Sequence, residues 1–161
     1  HSAEALSVDE YERINGAAPL EEKDIRHKIL VIKINRLYQR GMDEKVLYDA
    51  VRCVWRASKE KVRTVEYVFG VYNSLIVAVY KPSEWFVCKE AKDRLPRQDI
   101  VLTPKTENRL FFVDERYEQG FPSDENESFY IGKSIAGLKL NQSAQNPITY
   151  LYPLEKDKIH I

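Results

Sequence analysis

The sequence has few of the residues that bind metals, cross-link small domains or span membranes. It contains two cysteines, Cys53 and Cys88, and three histidines in 161 residues. Two cysteines cannot build a disulfide framework, and no pair of histidines has the spacing of a metal site, so we expect no metal and no cofactor. The longest apolar run, Leu75–Tyr80, is much shorter than the roughly 20 residues that cross a bilayer. These absences favour a protein without a membrane segment, and two reduced thiols favour a cytoplasmic location.

Net charge is also absent, because 25 lysines and arginines balance 25 aspartates and glutamates. This balance excludes a basic footprint over the whole surface. The charges are unevenly distributed, however. Residues 1–22 carry one basic and six acidic side chains, whereas residues 23–63 carry twelve basic and five acidic ones. The basic block can present one positive face to a polyanion. The alternative is that its cations scatter over a solvated surface.

The chain has the length of one domain preceded by a short arm. Residues 1–24 are acidic, and Ser7 and Glu10 have the spacing of a capping box, which predicts a short helix over residues 8–15. The basic block and the apolar segments follow. We therefore expect an acidic N-terminal arm over residues 1–24 and a globular domain over residues 25–161.

The hydrophobic pattern of the globular part predicts a mixture of strands and helices. Branched apolar residues predict strands over residues 28–35, 64–72, 75–80, 109–114 and 148–152. Asp43 is a suitable N-cap for a helix that continues with helical spacing to about Arg56 and packs through Leu47, Val51 and Val54. We expect loops over residues 57–63 and 89–108, and a short helix from about residue 126. Helices and strands do not alternate regularly, which favours an α+β fold with a mixed or mainly antiparallel, barrel-like sheet.

Motifs of catalysis are incomplete. Gly132-Lys133-Ser134 has the ending of a phosphate-binding P-loop, but Glu127 occupies the position of the required earlier glycine. A carboxylate at that position would repel phosphate. No histidine lies near a serine or cysteine that might act as a nucleophile. The sequence therefore predicts no catalytic residues.

One helical segment combines an aromatic side chain with two cations. Arg52, Trp55 and Arg56 fall close together, and residues three apart on a helix are neighbours. Such a group suits stacking on a base and contact with a phosphate. The alternative is structural: Trp55 covers the core, and the arginines pair with Asp49 and Glu60.

Several segments together resemble a bacterial module. The segments are residues 30–35, Met42-Asp43-Glu44, Leu47-Tyr48, residues 52–56, residues 66–72, Val79-Tyr80 with Trp85, residues 109–112, residues 130–134 and residues 145–148. The pattern resembles the C-terminal domain of some GIY-YIG nuclease-like and restriction-associated proteins. It is similar in turn to the PUA-like superfamily, which includes the EVE, ASCH and YTH groups. The resemblance covers roughly residues 25–153.

The resemblance implies a PUA-like distorted β-barrel of about five or six strands with flanking helices and a cleft that receives a nucleotide. EVE and YTH relatives hold a flipped, often methylated base in an aromatic pocket, where stacking offsets the energy of flipping. By this resemblance the nucleic-acid-binding residues comprise aromatic walls, polar edge contacts and cations for the backbone. The walls would be Trp55, Tyr67, Tyr72 and Trp85, the polar contacts Lys133, Ser134 and Asn146, and the cations Arg52 and Arg56.

The function that these observations favour is a non-catalytic nucleic-acid-binding module. The resemblance favours DNA over RNA and the reading of a modified base in restriction or phage defence. A chain with no net charge suits a module that gains affinity from a fused or partner nuclease or ATPase. Three alternatives remain open. The first is a small-molecule or nucleotide-binding regulatory domain that uses the same cleft, and the second is a protein-interaction module that binds through its acidic arm. The third is an enzyme, because the resemblance extends to PUA-like relatives that are hydrolases.

Overall fold

A computed structural model describes Val8 and residues 15–97, 99–140 and 147–154. The described residues form six strands and four short helices. The strands are β1 (Ile29–Lys33), β2 (Tyr67–Tyr72), β3 (Leu75–Tyr80), β4 (Glu84–Val87), β5 (Leu110–Val113) and β6 (Ile148–Leu151). The helices are α1 (Glu44–Arg52), α2 (Lys59–Val62), α3 (Glu115–Glu118) and α4 (Glu125–Tyr130), with 3-10 turns at Glu22–Asp24, Cys88–Glu90 and Lys92–Arg94.

The strands form one four-stranded and one two-stranded sheet. The larger sheet has the order β3-β2-β1-β6, and the smaller one pairs β4 with β5. Strand β1 runs parallel to β2, whereas the β1–β6, β2–β3 and β4–β5 pairs are antiparallel. The α+β class is therefore confirmed. The larger sheet is open between its edges β3 and β6, so the expected barrel is not confirmed.

Both faces of the larger sheet are buried. Leu30 and Ile32 of β1 pack with α1 on one face, while Ile29 and Val31 pack with Tyr130 of α4 on the other. Side chains alternate between the two faces of a strand, so a strand that is covered on both sides is apolar at every position. This double burial explains the uninterrupted apolar run of β1.

Helix α1 is shorter than the sequence predicts. It begins after Asp43, whose side chain accepts a hydrogen bond from the Lys45 amide at 2.8 Å, and it ends at Arg52 because Cys53 is extended. The expected continuation to residue 56 is wrong. The backbone of Trp55 instead forms a β-bridge with Leu110, through hydrogen bonds of 2.8 and 2.9 Å. Arg52 and Trp55 therefore do not share a helical surface.

Three other segments differ from the sequence prediction. The expected loop over residues 57–63 contains α2, and the expected loop over residues 89–108 contains 3-10 turns. Trp85, expected beyond the third strand, lies within β4 and pairs with Phe112 of β5. The interior of the predicted N-terminal helix lies outside the described residues. Leu20, near the end of the predicted arm, is buried in the core beside α4. None of the described helices has the length and apolarity to cross a bilayer.

Candidate functional site

Arg52 is a buried structural contact. Its Nε donates to Asp49 Oδ1 at 2.9 Å, and its Nη1 donates to the carbonyl of Phe112 at 3.2 Å. The guanidinium carbon lies 4.5 Å from the centroid of the Tyr48 ring. Arg52 thus ties the end of α1 to β5, and the predicted contact with a phosphate would require these bonds to break.

Trp55 and Arg56 follow α1 in an extended segment. The Trp55 indole Nε1 donates to the Val51 carbonyl at 2.6 Å, and its ring packs against the core cluster around α1. Arg56 is exposed. The arrangement corresponds to the structural alternative for Trp55, in which the indole covers the core.

The two predicted tyrosine walls lie in separate places. Tyr67 is 3% exposed, and its hydroxyl donates to Asp124 Oδ2 at 2.8 Å. Burial raises the pKa of this phenol. Tyr72 is half-buried, with its ring centroid 4.7 Å from that of Tyr38. Neither tyrosine lies on the wall of either pocket described below.

The predicted polar contacts near the C terminus are also engaged. Lys133 Nζ donates to the Phe129 carbonyl and lies 4.0 Å from the centroid of that ring. Ser134 is buried, and its backbone bonds to Ala18 and Leu20 at 2.8 Å. Asn146 lies outside the described residues.

Trp85, the remaining predicted wall residue, lies at the edge of a pocket. The pocket has a volume of about 410 Å³ and is also lined by Lys59 and Arg63, the exposed cations at either end of α2. The half-buried Trp85 ring packs on Phe112 with a centroid distance of 5.0 Å. Its indole Nε1 is buried and has no hydrogen-bond acceptor among the described residues. The arrangement combines an aromatic wall with two cations that are four residues apart.

A second cleft, of about 830 Å³, lies between α1, β3 and the segment that carries α3 and α4. Three aromatic rings pack beside it: the Tyr48 ring centroid lies 5.1 Å from that of Tyr80 and 4.3 Å from that of Tyr117. Tyr48 and Tyr80 are buried, whereas Tyr117 is half-buried. Two apolar side chains are exposed at its rim, Phe121 at 59% and Ile131 at 44%. A cleft of this size with aromatic walls has the features of a small-molecule site.

A chain of hydrogen bonds crosses the inner wall of this cleft. The Asp114 backbone amide donates to the Tyr48 hydroxyl at 2.8 Å, and that hydroxyl donates to Glu118 Oε2 at 2.6 Å. Burial is the main reason why the pKa of Tyr48 is well above its ordinary value, so the phenol keeps its proton and remains a donor. Glu118 Oε1 has no hydrogen-bond partner in the described part of the chain. This series of hydrogen bonds therefore orients the Glu118 carboxylate, which keeps one free oxygen.

A second charged group lies near the rim of the same cleft. Arg116 forms an ion pair with Glu127, which is 5% exposed, and its Nη1 lies 3.7 Å from Asp124 Oδ2. The Nε of Arg116 is buried without an acceptor among the described residues. Because Tyr67 also bonds to Asp124, this group fixes α4 against the sheet at the edge of the cleft.

Of the residues that line this larger cleft, the sequence analysis named Arg52 but missed Tyr48 and Glu118. Tyr48 lies on the apolar face of α1, where its spacing is that of a core residue, and Glu118 follows it by 70 positions. No local pattern connects two residues at that separation. The only available signal was the aromatic content, ten tyrosines in one domain, which indicates that some phenols are buried and need partners.

Among the described residues, no three His, Cys, Asp or Glu side chains are grouped closely enough to hold a metal ion. Comparison with known proteins gives no relative: no family model, no curated protein and no solved structure matches this chain.

Proposed function

We propose that this protein is a non-catalytic module that binds nucleic acid. The observation that carries the proposal is the pocket in which Trp85 lies beside Lys59 and Arg63. An aromatic face stacks on any base, and adjacent cations neutralise the phosphates on either side of it. The same pairing of stacking and charge is typical of grooves that follow a single strand.

The two cations of this pocket are available to a ligand. Lys59 and Arg63 are exposed, and neither forms an ion pair within the described part of the chain. They belong to the basic block of residues 23–63, which supports a local positive surface on a chain without net charge. Glu84 also lines the pocket and reduces that charge. A moderate affinity, which a fused or partner nuclease or ATPase would increase, is consistent with this balance.

Three finer points belong to the same proposal and rest on the sequence resemblance: a relation to the PUA-like superfamily, a preference for DNA over RNA, and the reading of a modified base. The physical support for them is limited to the aromatic and charged side chains described above. A binding screen over single-stranded and double-stranded DNA and RNA, with and without methylated bases, tests them.

The salt dependence of binding tests the proposal itself. Each phosphate neutralised by a cation adds about 0.7–0.9 to the slope of log affinity against log salt concentration. The double variant Lys59→Ala/Arg63→Ala should therefore bind more weakly and lower this slope by about 1.5. Lys89→Ala/Lys105→Ala is a matched control, because it removes two exposed cations that do not line the pocket. Equal slopes for both double variants would contradict the proposal.

A second function has one specific observation in its favour. The 830 Å³ cleft has the size and the aromatic walls of a site for a free nucleotide or another small molecule. In that case mononucleotides would bind, polymers would not bind more tightly, and the affinity would change little with salt. The same titrations separate the two functions.

A further inference from the structure

We propose that the larger cleft is a pocket for one nucleobase and that Glu118 selects a base with an amino donor, namely cytosine, adenine or guanine, over thymine or uracil. This inference rests on the proposed function, because the base would arrive as part of a bound strand. It adds a second site that is separate from the Trp85 pocket and assigns it a chemical preference.

The size and the rim of the cleft fit a planar ring. Its volume of about 830 Å³ lies within the range of about 300–1,000 Å³ typical of small-molecule sites. Phe121 and Ile131 are 59% and 44% exposed at its rim, and a base that entered the cleft would cover both. The half-buried ring of Tyr117 offers a further stacking surface. Apolar burial and stacking are the terms that offset the energy of unstacking a base.

The charged side chains that line the cleft favour a neutral base over a phosphate. Four carboxylates line it, from Glu44, Asp114, Glu118 and Glu127, against three cations, from Lys45, Arg52 and Arg116. Arg52 and Arg116 are already paired with carboxylates, so a phosphate would meet excess negative charge. The backbone of a bound strand therefore stays outside, and only a neutral base enters.

Glu118 is the group that distinguishes the bases. Tyr48 holds Oε2 of its carboxylate at 2.6 Å, while Oε1 has no hydrogen-bond partner among the described residues. The Glu118 side chain is 45% exposed, so a ligand can reach it. A carboxylate only accepts hydrogen bonds, so it pairs well with an exocyclic amino group such as cytosine N4. Thymine and uracil offer only the N3–H, which lies between two carbonyl oxygens that the carboxylate repels.

The two sites are close enough to engage one strand. Tyr80 lines the cleft, Trp85 lines the smaller pocket, and the five-residue step between them spans at most about 18 Å. Two hydrogen bonds of 2.9 Å fix this segment: the Lys81 amide donates to Asp114 Oδ2, and the Glu115 amide donates to Ser83 Oγ. A strand stacked on Trp85 can thus place a nucleotide a few positions away at the cleft.

Three single-stranded DNA dodecamers test the assignment. One contains only thymine, the second has a single central cytosine, and the third has a central abasic site. We expect the wild-type protein to bind the cytosine strand about tenfold or more tightly than the thymine strand, as for a hydrogen bond to a charged group. The abasic strand should bind no better than the thymine strand, since it has no base to insert.

Glu118→Gln identifies the selecting group, because an amide both donates and accepts and should bind cytosine and thymine about equally. Glu115→Gln, on the exposed side of the same short helix and outside the cleft, should keep the wild-type preference. Equal wild-type affinity for all three strands would overturn the inference and leave the proposed function intact. A preference that persists in Glu118→Gln would also overturn it. Wild-type protein that bound none of the strands at low salt would overturn the proposed function as well.

Discussion

The indole of Trp85 packs on Phe112 from one side and borders a pocket with the other, so its replacement should affect binding more than folding. Trp85→Ala should lower the affinity for single-stranded nucleic acid by about 1–3 kcal/mol, which is the contribution of one stacked base. Because the ring is only half-buried, the unfolding free energy should fall by less than the about 3–5 kcal/mol of a fully buried tryptophan. Fluorescence anisotropy and urea unfolding measure the two effects.

Phe86→Ala is the matched control for Trp85→Ala. Phe86 is also half-buried and also packs on a phenylalanine ring, that of Phe111, but it does not line the Trp85 pocket. We expect it to lower stability without a change in affinity. If Trp85→Ala bound nucleic acid as tightly as Phe86→Ala, the indole would not be a stacking surface.

The hydroxyl of Tyr48 is predicted to stabilise the fold by bridging a backbone amide and a carboxylate. In Tyr48→Phe the Asp114 amide, which belongs to a residue 2% exposed, loses its hydrogen-bond acceptor. A buried donor without a partner costs about 1–3 kcal/mol, so urea unfolding should show a loss of that size. Tyr117→Phe changes a neighbouring ring whose hydroxyl has no hydrogen-bond partner among the described residues, and it should leave stability nearly unchanged. An equal loss in both variants would contradict the role of the bridge.

These residues show what a single sequence can predict about a site. The resemblance named Trp85 as a wall residue, and its sequence context, three positions after Pro82 and next to the charged Glu84, is typical of a partly solvated edge. The role of Tyr48 could not be predicted, because a tyrosine on the apolar face of a helix has the same sequence pattern whether or not its hydroxyl forms a hydrogen bond beside a cleft. The acceptor of its hydrogen bond comes from a distant segment, and only the tertiary fold brings the two together.

Helix α1 illustrates the same limit for a whole element. Helical spacing of apolar residues continues as far as Trp55, but the helix stops at Arg52. The backbone of Trp55 gains two hydrogen bonds from Leu110, a strand residue more than 50 positions away. Tertiary pairing outweighs helix propensity, which is a fraction of a kcal/mol per residue. The start of α1 was predictable because its N-cap is local, whereas its end depends on β5.

The contact between α1 and the sheet depends on a glycine in β2. A Cβ on Gly70 would lie 2.7 Å from Cγ2 of Val51 and 3.3 Å from Cβ of Ala78. Gly70→Ala should therefore push α1 from the sheet and destabilise the protein by about 1–3 kcal/mol in urea unfolding. The strand order β3-β2-β1-β6 places this contact in a central strand, where neighbours on both sides prevent relaxation.

Two variants check the steric origin of that loss. Gly137→Ala should be tolerated, because a Cβ at that position has nothing within 4 Å. Adding Val51→Ala to Gly70→Ala removes the closest atom, so the double variant should lose less than the sum of the two single changes. Strict additivity would mean that the two residues do not collide.

At the scale of the molecule, the described strands form an open sheet instead of the closed barrel that the sequence predicts. The outer edge of β3 is covered for part of its length by the segment after α4, since the Ile76 amide bonds to the Lys133 carbonyl at 2.9 Å. A register shift beyond Gly70 places an extra residue, Val77, in β3. A bulge bends the strand that carries it and increases its local twist. Neither a bulge nor a segment that covers the edge of a sheet has a clear sequence pattern. The strands were therefore predictable from the sequence, whereas the open or closed form of the sheet was not.

The burial of tyrosines also predicts how the whole protein responds to alkali. Burial is the main cause that raises the pKa of Tyr48, Tyr67, Tyr80, Tyr117, Tyr130 and Tyr150. A group whose folded pKa is raised stabilises the fold below its unfolded pKa, and this stability is lost as the pH rises. The unfolded chain releases these protons near pH 10, the ordinary value for tyrosine.

Stability should therefore fall above about pH 10, with Tyr48 and Tyr80 each contributing about 1.4 kcal/mol per pH unit because both are buried in the core. The part of the phenolate absorbance that comes from these two rings should then appear together with the loss of circular dichroism in a pH titration, since they ionise only when the chain unfolds. The thiol of Cys53, whose pKa burial raises to about 11, adds to the same trend. Complete phenol ionisation near pH 10 with an unchanged dichroism spectrum would show that the tyrosines are not held in this buried arrangement.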